Sequence, residues 1–400
     1  MKFIKKLIIL LSVSIFIFLT FNSTVSCKAE DKTKDNYEEE VKKVLKENNE
    51  EIDQLYKYIN KMKSDIELMN ELDPGEYIIS YIKSGTGNIS VDKVLKACVS
   101  LIFKEVSTVL KFAISMVAVA ILCTLIKNLQ DAFTSKGISE VAFYACYVTL
   151  ILILSKSFLI SISVAKEVIY GISNFMSAIL PILISMVSLS GGVVQAAILD
   201  PVILSGVILI PKIYTNVIIP LIMISFILQF VNNLSDEHKI NNLCKMTKQF
   251  TIWIQGIVIT VFIAMLTIRG ISGSTIDAVT LKTTKFAVDN FIPIVGKAFS
   301  DAITSVASYS LIIKNAISSI GLVVIILIIL YPIIKILLMS FIYKFTAALI
   351  EPISDKRITS CVQAAGDSLI LLLSCVLSVS LMFFILLAVI ANCGKYLVGA

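Results

Sequence analysis

Long apolar runs, broken at intervals by a few polar residues, dominate this chain of 400 residues. Eight of them reach or approach the length a bilayer requires: residues 109–126, 141–164, 168–190, 193–210, 213–231, 250–268, 320–342 and 368–391. A spanning helix takes about 17–25 mostly apolar residues. Hydrocarbon offers no water to backbone N–H and C=O groups, so each run must pair them internally, as a helix does. The expected architecture is all-α, a polytopic bundle of 7–8 transmembrane helices, seven if 193–210 is re-entrant.

Two stretches depart from this pattern. Residues 181–220 hold Pro181, Pro201, Pro211 and Pro220, half of the eight prolines, together with Gly191-Gly192 and Gly206. Broken helices at membrane depth line cavities or are buried in protein. The stretch therefore reads as a candidate conduit, with Asp200 either lining it or lying in a loop at the water line. Lys156, deep in its run, is expected to face protein or water, whereas Lys111 and Lys335 are expected to snorkel. Residues 270–319 are too polar for a simple span and too apolar for a free loop. They predict two amphipathic helices, 275–290 and 295–313, bent at Phe291-Ile292-Pro293 into a re-entrant, pore-lining or surface-lying hairpin. Small residues such as Ser300, Ala302 and Ser305 permit close helix approach.

The amino-terminal end has its own order. Lys2, Lys5 and Lys6 precede an apolar run at 7–21, and small residues follow at Ser23, Ser26 and Ala29. This is the layout of a signal peptide, 1–29, cleaved after Ser26 or Ala29. Residues 30–90 are then expected outside the cytoplasm. Within them Leu45, Ile52, Ile59 and Ile66 repeat every seven residues, and Val41, Asn48, Leu55, Met62 and Met69 form a second series offset by three. Such a seam belongs to a coiled-coil contact or to a helix packed on its own membrane domain. Pro74-Gly75 closes it. Residues 91–109 alternate charged and apolar positions and predict a helix along the membrane surface ahead of the polytopic domain, 91–400.

Composition narrows the function classes. Hydrophobic residues make up 57% and charged residues 16%, against about 45–50% and about 25% in soluble domains. The mean hydropathy of +0.89 agrees, and a water-soluble enzyme of this length is excluded. The formal charge is +6, yet residues 28–76 carry nine Lys against fifteen Asp or Glu. Basic residues form no aromatic-interleaved stripe, so nucleic-acid binding is not expected. The single histidine, His238, excludes sites built on two imidazoles. No two of the eight cysteines are spaced C-x-x-C, so neither a zinc site nor a thioredoxin-like motif is present. No Walker A loop, nucleophile elbow, HExxH or dinucleotide loop occurs. No enzyme activity and no cofactor is expected. With the amino terminus outside, eight spans place 127–140, 232–249 and 343–367 in the cytoplasm. Basic residues on both sides keep the positive-inside rule from settling the matter.

Several spaced motifs carry a family resemblance. They are GISGSTIDAVTLKTTKF at 270–286, NFIPIVGKAFSDA at 290–302, LIIKNAI at 311–317, YPIIKIL at 331–337, ALIEPISD at 348–355 and SLMFFIL at 380–386. In this the chain resembles the stage III sporulation protein AE family of endospore-forming bacteria, over roughly residues 90–391. The resemblance implies a multi-pass protein of the mother-cell membrane around the forespore. It also implies a part in the channel-like, secretion-like complex needed for endospore formation and late forespore gene expression. The implied partners are the other stage III sporulation A-operon proteins, among them an ATPase and ring-forming components, and stage II sporulation protein Q across the intermembrane space. Membrane lipid and further copies of the chain complete the set. The motif positions Gly270, Asp277, Lys285, Asn290, Pro293, Gly296, Asp301, Pro332, Lys335, Pro352 and Asp355 become candidate structural or conduit residues, beside Asp200 and Lys156. The alternative is a self-sufficient transporter with its conduit around 181–220.

Overall fold

The computed structural model describes residues 91–132, 136–234, 240–291 and 296–393. The expected signal peptide and coiled-coil-like region lie outside the described residues. Among the described residues seven α-helices follow in order: α1 Val91–Ala132, α2 Lys136–Leu189, α3 Val193–Ile213, α4 Ile219–Leu234, α5 Asn241–Phe291, α6 Gly296–Ile350 and α7 Lys356–Asn392. A π-helical stretch, Tyr214–Ile218, joins α3 to α4. Among the described residues there is no strand.

Six helical stretches are long and apolar enough to cross a membrane: Val99–Ile126, Val141–Leu189, Ile203–Leu234, Asn241–Ile268, Thr304–Ile350 and Lys356–Asn392. Among the described residues the count is therefore six where the sequence predicts seven or eight, because two expected loops are helix. Lys166-Glu167, between the runs 141–164 and 168–190, are exposed on the surface of an unbroken α2. Pro211-Lys212, between the runs 193–210 and 213–231, sit within α3.

Local chemistry shows how a helix passes Pro211. Proline has no N–H, so the carbonyl four residues back loses its partner. That carbonyl belongs to Val207, and the Ser173 hydroxyl of α2 donates to it at 3.0 Å. The Pro211 carbonyl in turn accepts from Thr215 Oγ1 at 2.7 Å. The wider π turn follows, with Ile219 N–H bonded to Tyr214 O just before Pro220. The one break between Pro181 and Pro220 is at Gly191-Gly192. Gly191 has φ 94°, a left-handed conformation that glycine adopts without penalty. Asp200 and Pro201 lie inside α3 and not in an interfacial loop.

Two other expectations change in the same way. Residues 91–109 are the first turns of α1 and not a separate surface helix. The amphipathic pair at 270–319 consists of the outer ends of α5 and α6. α5 runs on through Gly270 and Gly273 to Phe291, and α6 starts at Gly296; the expected bend at Ile292-Pro293 lies outside the described residues.

Cross-helix contacts give the direction of each element. Tyr147 O–H donates to Phe230 O, and Tyr170 pairs with Thr215, so α2 runs antiparallel to α3–α4. Ser157 pairs with Tyr343, and Ser161 with Met339, so α2 is also antiparallel to α6. Ser340 donates to Gly366 O and Lys314 to Ala391 O, so α6 is antiparallel to α7. Lys248 meets Asp367 and Gln255 meets Ser374, so α5 is parallel to α7. One end of the bundle thus gathers the end of α1, the start of α2, the end of α4, the start of α5 and the turn between α6 and α7. The other gathers the start of α1, the Gly191-Gly192 turn, the end of α5, the start of α6 and the end of α7. Merging two pairs of spans preserves parity, so this is the sidedness of the eight-span reading with fewer crossings. α7 is the central helix: 83% of its apolar window is buried, against 28% for α1 and α5.

Candidate functional site

Lipid is as apolar as the helices it surrounds, so polar contacts and close packing do much of the work of selecting helix partners. The core follows this rule around α7. Gln229 Nε2 donates to Ser368 Oγ at 3.2 Å, and Ser374 Oγ to Gln255 Oε1 at 3.0 Å. Against this background the charged side chains fall into three stations.

The first lies at mid-depth. Glu105 of α1 is 6% exposed. Its Oε1 accepts from Tyr331 O–H at 3.1 Å and from Lys335 Nζ at 3.4 Å, and Lys335 Nζ donates to Tyr331 Oη at 2.8 Å. Along α6, Lys335 is about 32 Å from Lys314 and about 22 Å from Ile350 at 1.5 Å per residue. An isolated charge at such depth is costly, and a hydrogen-bonded opposite charge offsets much of that cost. Lys335 therefore does not snorkel; it closes an α1–α6 contact. Lys156 lies exposed on the outer face of α2 rather than facing protein.

The second station closes the end near the Gly191-Gly192 turn. Asp277 of α5 is 1% exposed. Its two carboxylate oxygens accept from Val194 N–H and Gln195 N–H, each at 2.8 Å. α3 has Gly192 at its cap position, with no side-chain cap of its own. The first N–H groups of a helix lack partners and carry partial positive charge, and here a carboxylate from another helix supplies both partner and counter-charge. A Cβ on Gly192 would stand 2.9 Å from Val187 Cγ1 and 3.7 Å from Asp277 Oδ2, so glycine admits the close approach. Lys314 of α6, fully buried, does the converse at the end of α7. Its Nζ donates to Ala391 O at 3.1 Å and to Cys393 O. Burial pushes the Cys393 thiol up to about 11, with Lys314 pulling it down and Asp277 pushing it up. That places the thiol within electrostatic reach of both anchors.

The third station is at the opposite end. Asp367 pairs with Lys344 at 2.7 Å and with Lys248 at 3.9 Å, all more than a third exposed. Asp355 caps α7, accepting from Arg357 N–H at 2.8 Å. The Arg357 guanidinium carbon lies 4.3 Å from the centre of the Phe143 ring. Pro352 is exposed in the turn just before Asp355.

Of the expected residues, Asp277, Lys335 and Asp355 have defined partners and Lys156 faces outward. Pro293 and the side chains of Asp200, Gly270, Lys285, Asn290, Gly296 and Asp301 lie outside the described residues. Sequence reasoning missed Glu105, read as part of a surface helix. It also missed the buried role of Lys314, for which a lysine inside the mostly apolar motif LIIKNAI was the available signal. Among the described residues no three His, Cys, Asp or Glu side chains come together as a metal site. In each station a charge meets an opposite charge or a helix end, an arrangement that fixes helix register.

The family model described as "Stage III sporulation protein AE" matches residues 72–394, which include the whole described bundle. The Stage III sporulation protein AE of Bacillus subtilis (strain 168) is 33% identical over 312 residues, 78% of each chain. No solved structure matches the chain. With a family model over most of its length and a relative this similar, the chain is a multi-pass membrane protein belonging to the stage III sporulation protein AE family.

Proposed function

We propose that this protein is an integral component of the channel-like complex that joins mother cell and forespore, and that endospore formation and late forespore gene expression depend on it. It resides in the mother-cell membrane around the forespore. Its partners are the other stage III sporulation A-operon proteins, including the ATPase and the ring-forming components, and stage II sporulation protein Q across the intermembrane space. Its role is structural rather than enzymatic. The observation that carries this reading is the family match across residues 72–394, from before α1 to the end of α7. The three charge stations support it, because they suit a rigid membrane part that must hold its helices in register.

The competing reading, a self-sufficient transporter with its conduit at 181–220, has less support. That stretch is helix apart from one turn, and its inward side chains Ile203, Val207, Ile210 and Tyr214 are buried in the apolar core. Deletion of the gene tests the proposal. The expected result is normal vegetative growth with development arrested after engulfment, and loss of co-purification among the remaining complex members. Normal spores from the deletion strain would overturn it, and solute flux in liposomes holding this protein alone would favour the transporter.

A further inference from the structure

The two sides of α2 differ. On the inner side Ser157, Ser161 and Ser173 bond to Tyr343, Met339 and the Val207 carbonyl of neighbouring helices. On the outer side Ile160, Ser163, Glu167, Tyr170, Asn174 and Ser177 are all exposed. These six recur at alternating intervals of three and four residues. That is the 3.5-residue repeat of a seam between two helices wound into a left-handed pair. At 1.5 Å per residue the seam is about 26 Å long, close to the thickness of a bilayer's hydrocarbon, about 30 Å.

The seam lies within Val141–Leu189, one of the stretches long and apolar enough to cross a membrane. Lipid is a poor neighbour for what it presents. Lys166, next to Glu167, is exposed as well, and neither forms an ion pair among the described residues. Charged side chains within spanning helices are costly in lipid and are found facing protein or water. The outer face of α2 therefore calls for a protein neighbour.

The chemistry of the seam is complementary to itself. In a parallel helix pair each seam residue enters a hole on the facing helix, and charged residues at the edge of the seam pair across it. Two copies related by a two-fold axis along the membrane normal bring the same levels of α2 together. Lys166 of each copy then meets Glu167 of the other, so both charges gain a partner. Ser163, Asn174 and Ser177 each hold a donor and an acceptor, so each can bond to its own counterpart across the axis. A lone Asn in such a seam also specifies register and the number of strands. Lys156 stands one step of four residues before Ile160 and is exposed too; its long stem lets the two ammonium groups turn away from each other. We propose that the outer face of α2, from Ile160 to Ser177, is a self-association surface, and that its occupant is the same face of a second copy of this chain.

The test uses the full chain in membranes. A benzophenone side chain is placed at Ile160, separately at Ser163, and, as a reference on another exposed face, at Trp253 of α5. Isotopically heavy and light chains are mixed, so that mass spectrometry separates adducts between chains from those within one. The expected result is between-chain adducts to residues 156–177 from Ile160 and Ser163, several-fold more abundant than any from Trp253. Lys166→Glu alone and Glu167→Lys alone should each lower the yield several-fold. The two combined should restore it, which separates a lost charge pair from a folding defect. No between-chain adduct at 156–177 from either position, an equal yield from Trp253, or a yield unchanged by both single reversals would overturn the proposal.

Discussion

The two ends of the bundle handle charge in opposite ways. Near the Gly191-Gly192 turn, Asp277 and Lys314 are almost completely buried, and each binds the terminus of a helix other than its own. Near Asp355, the Lys344–Asp367–Lys248 group is more than a third exposed and links side chains to side chains. Exposed pairs are screened by water and salt, and they stabilise by about 0–1 kcal/mol. A buried charge is expensive to orphan, so losing its partner is felt through the whole fold. The first end, with the mid-depth Glu105–Lys335 contact, is thus expected to set the register of the helices, while the second decorates a surface.

Substitutions that orphan one charge sharpen this contrast most. Glu105→Leu leaves the partly buried Lys335 ammonium with Tyr331 as its remaining partner, and up to about 3–5 kcal/mol of stability should be lost. Thermal unfolding in detergent should show it, and Glu105→Leu combined with Lys335→Leu should recover most of the loss. Asp277→Ala removes two charge-assisted bonds to the start of α3 and should cost about 2–3 kcal/mol. Backbone hydrogen exchange should rise at Val194 and Gln195 before it rises in α7. Ser173→Ala leaves the Val207 carbonyl without its donor beside Pro211, with an expected loss of about 1 kcal/mol. Lys344→Ala should change stability by less than about 1 kcal/mol, an effect that vanishes in high salt. A loss at Lys344 equal to that at Asp277 would break the comparison.

Much of the helical fold was legible because lipid leaves a chain few options. Apolar runs of this length have to be helices. The span count was harder to read, since whether Pro211 ends a helix depends on a serine 38 positions earlier that takes up the freed carbonyl. The lysines show the same limit. Lys156 and Lys335 both sit in apolar runs, and Glu105 on another helix gives one of them a buried counter-charge. Asp277 was legible as a motif position, but its task was not, because the helix end it caps lies 83 residues away in sequence. Local pattern specifies elements, whereas the partners of buried charges are set by three-dimensional packing.

Labelling of single cysteines by a membrane-impermeant thiol reagent bears most directly on the six-helix bundle. Ser84→Cys and Lys297→Cys should react from one side of the membrane, and Ser135→Cys, Ser235→Cys and Glu351→Cys from the other. Reaction of Lys297→Cys from the same side as Ser235→Cys would contradict the topology on which the assignment of the two ends rests.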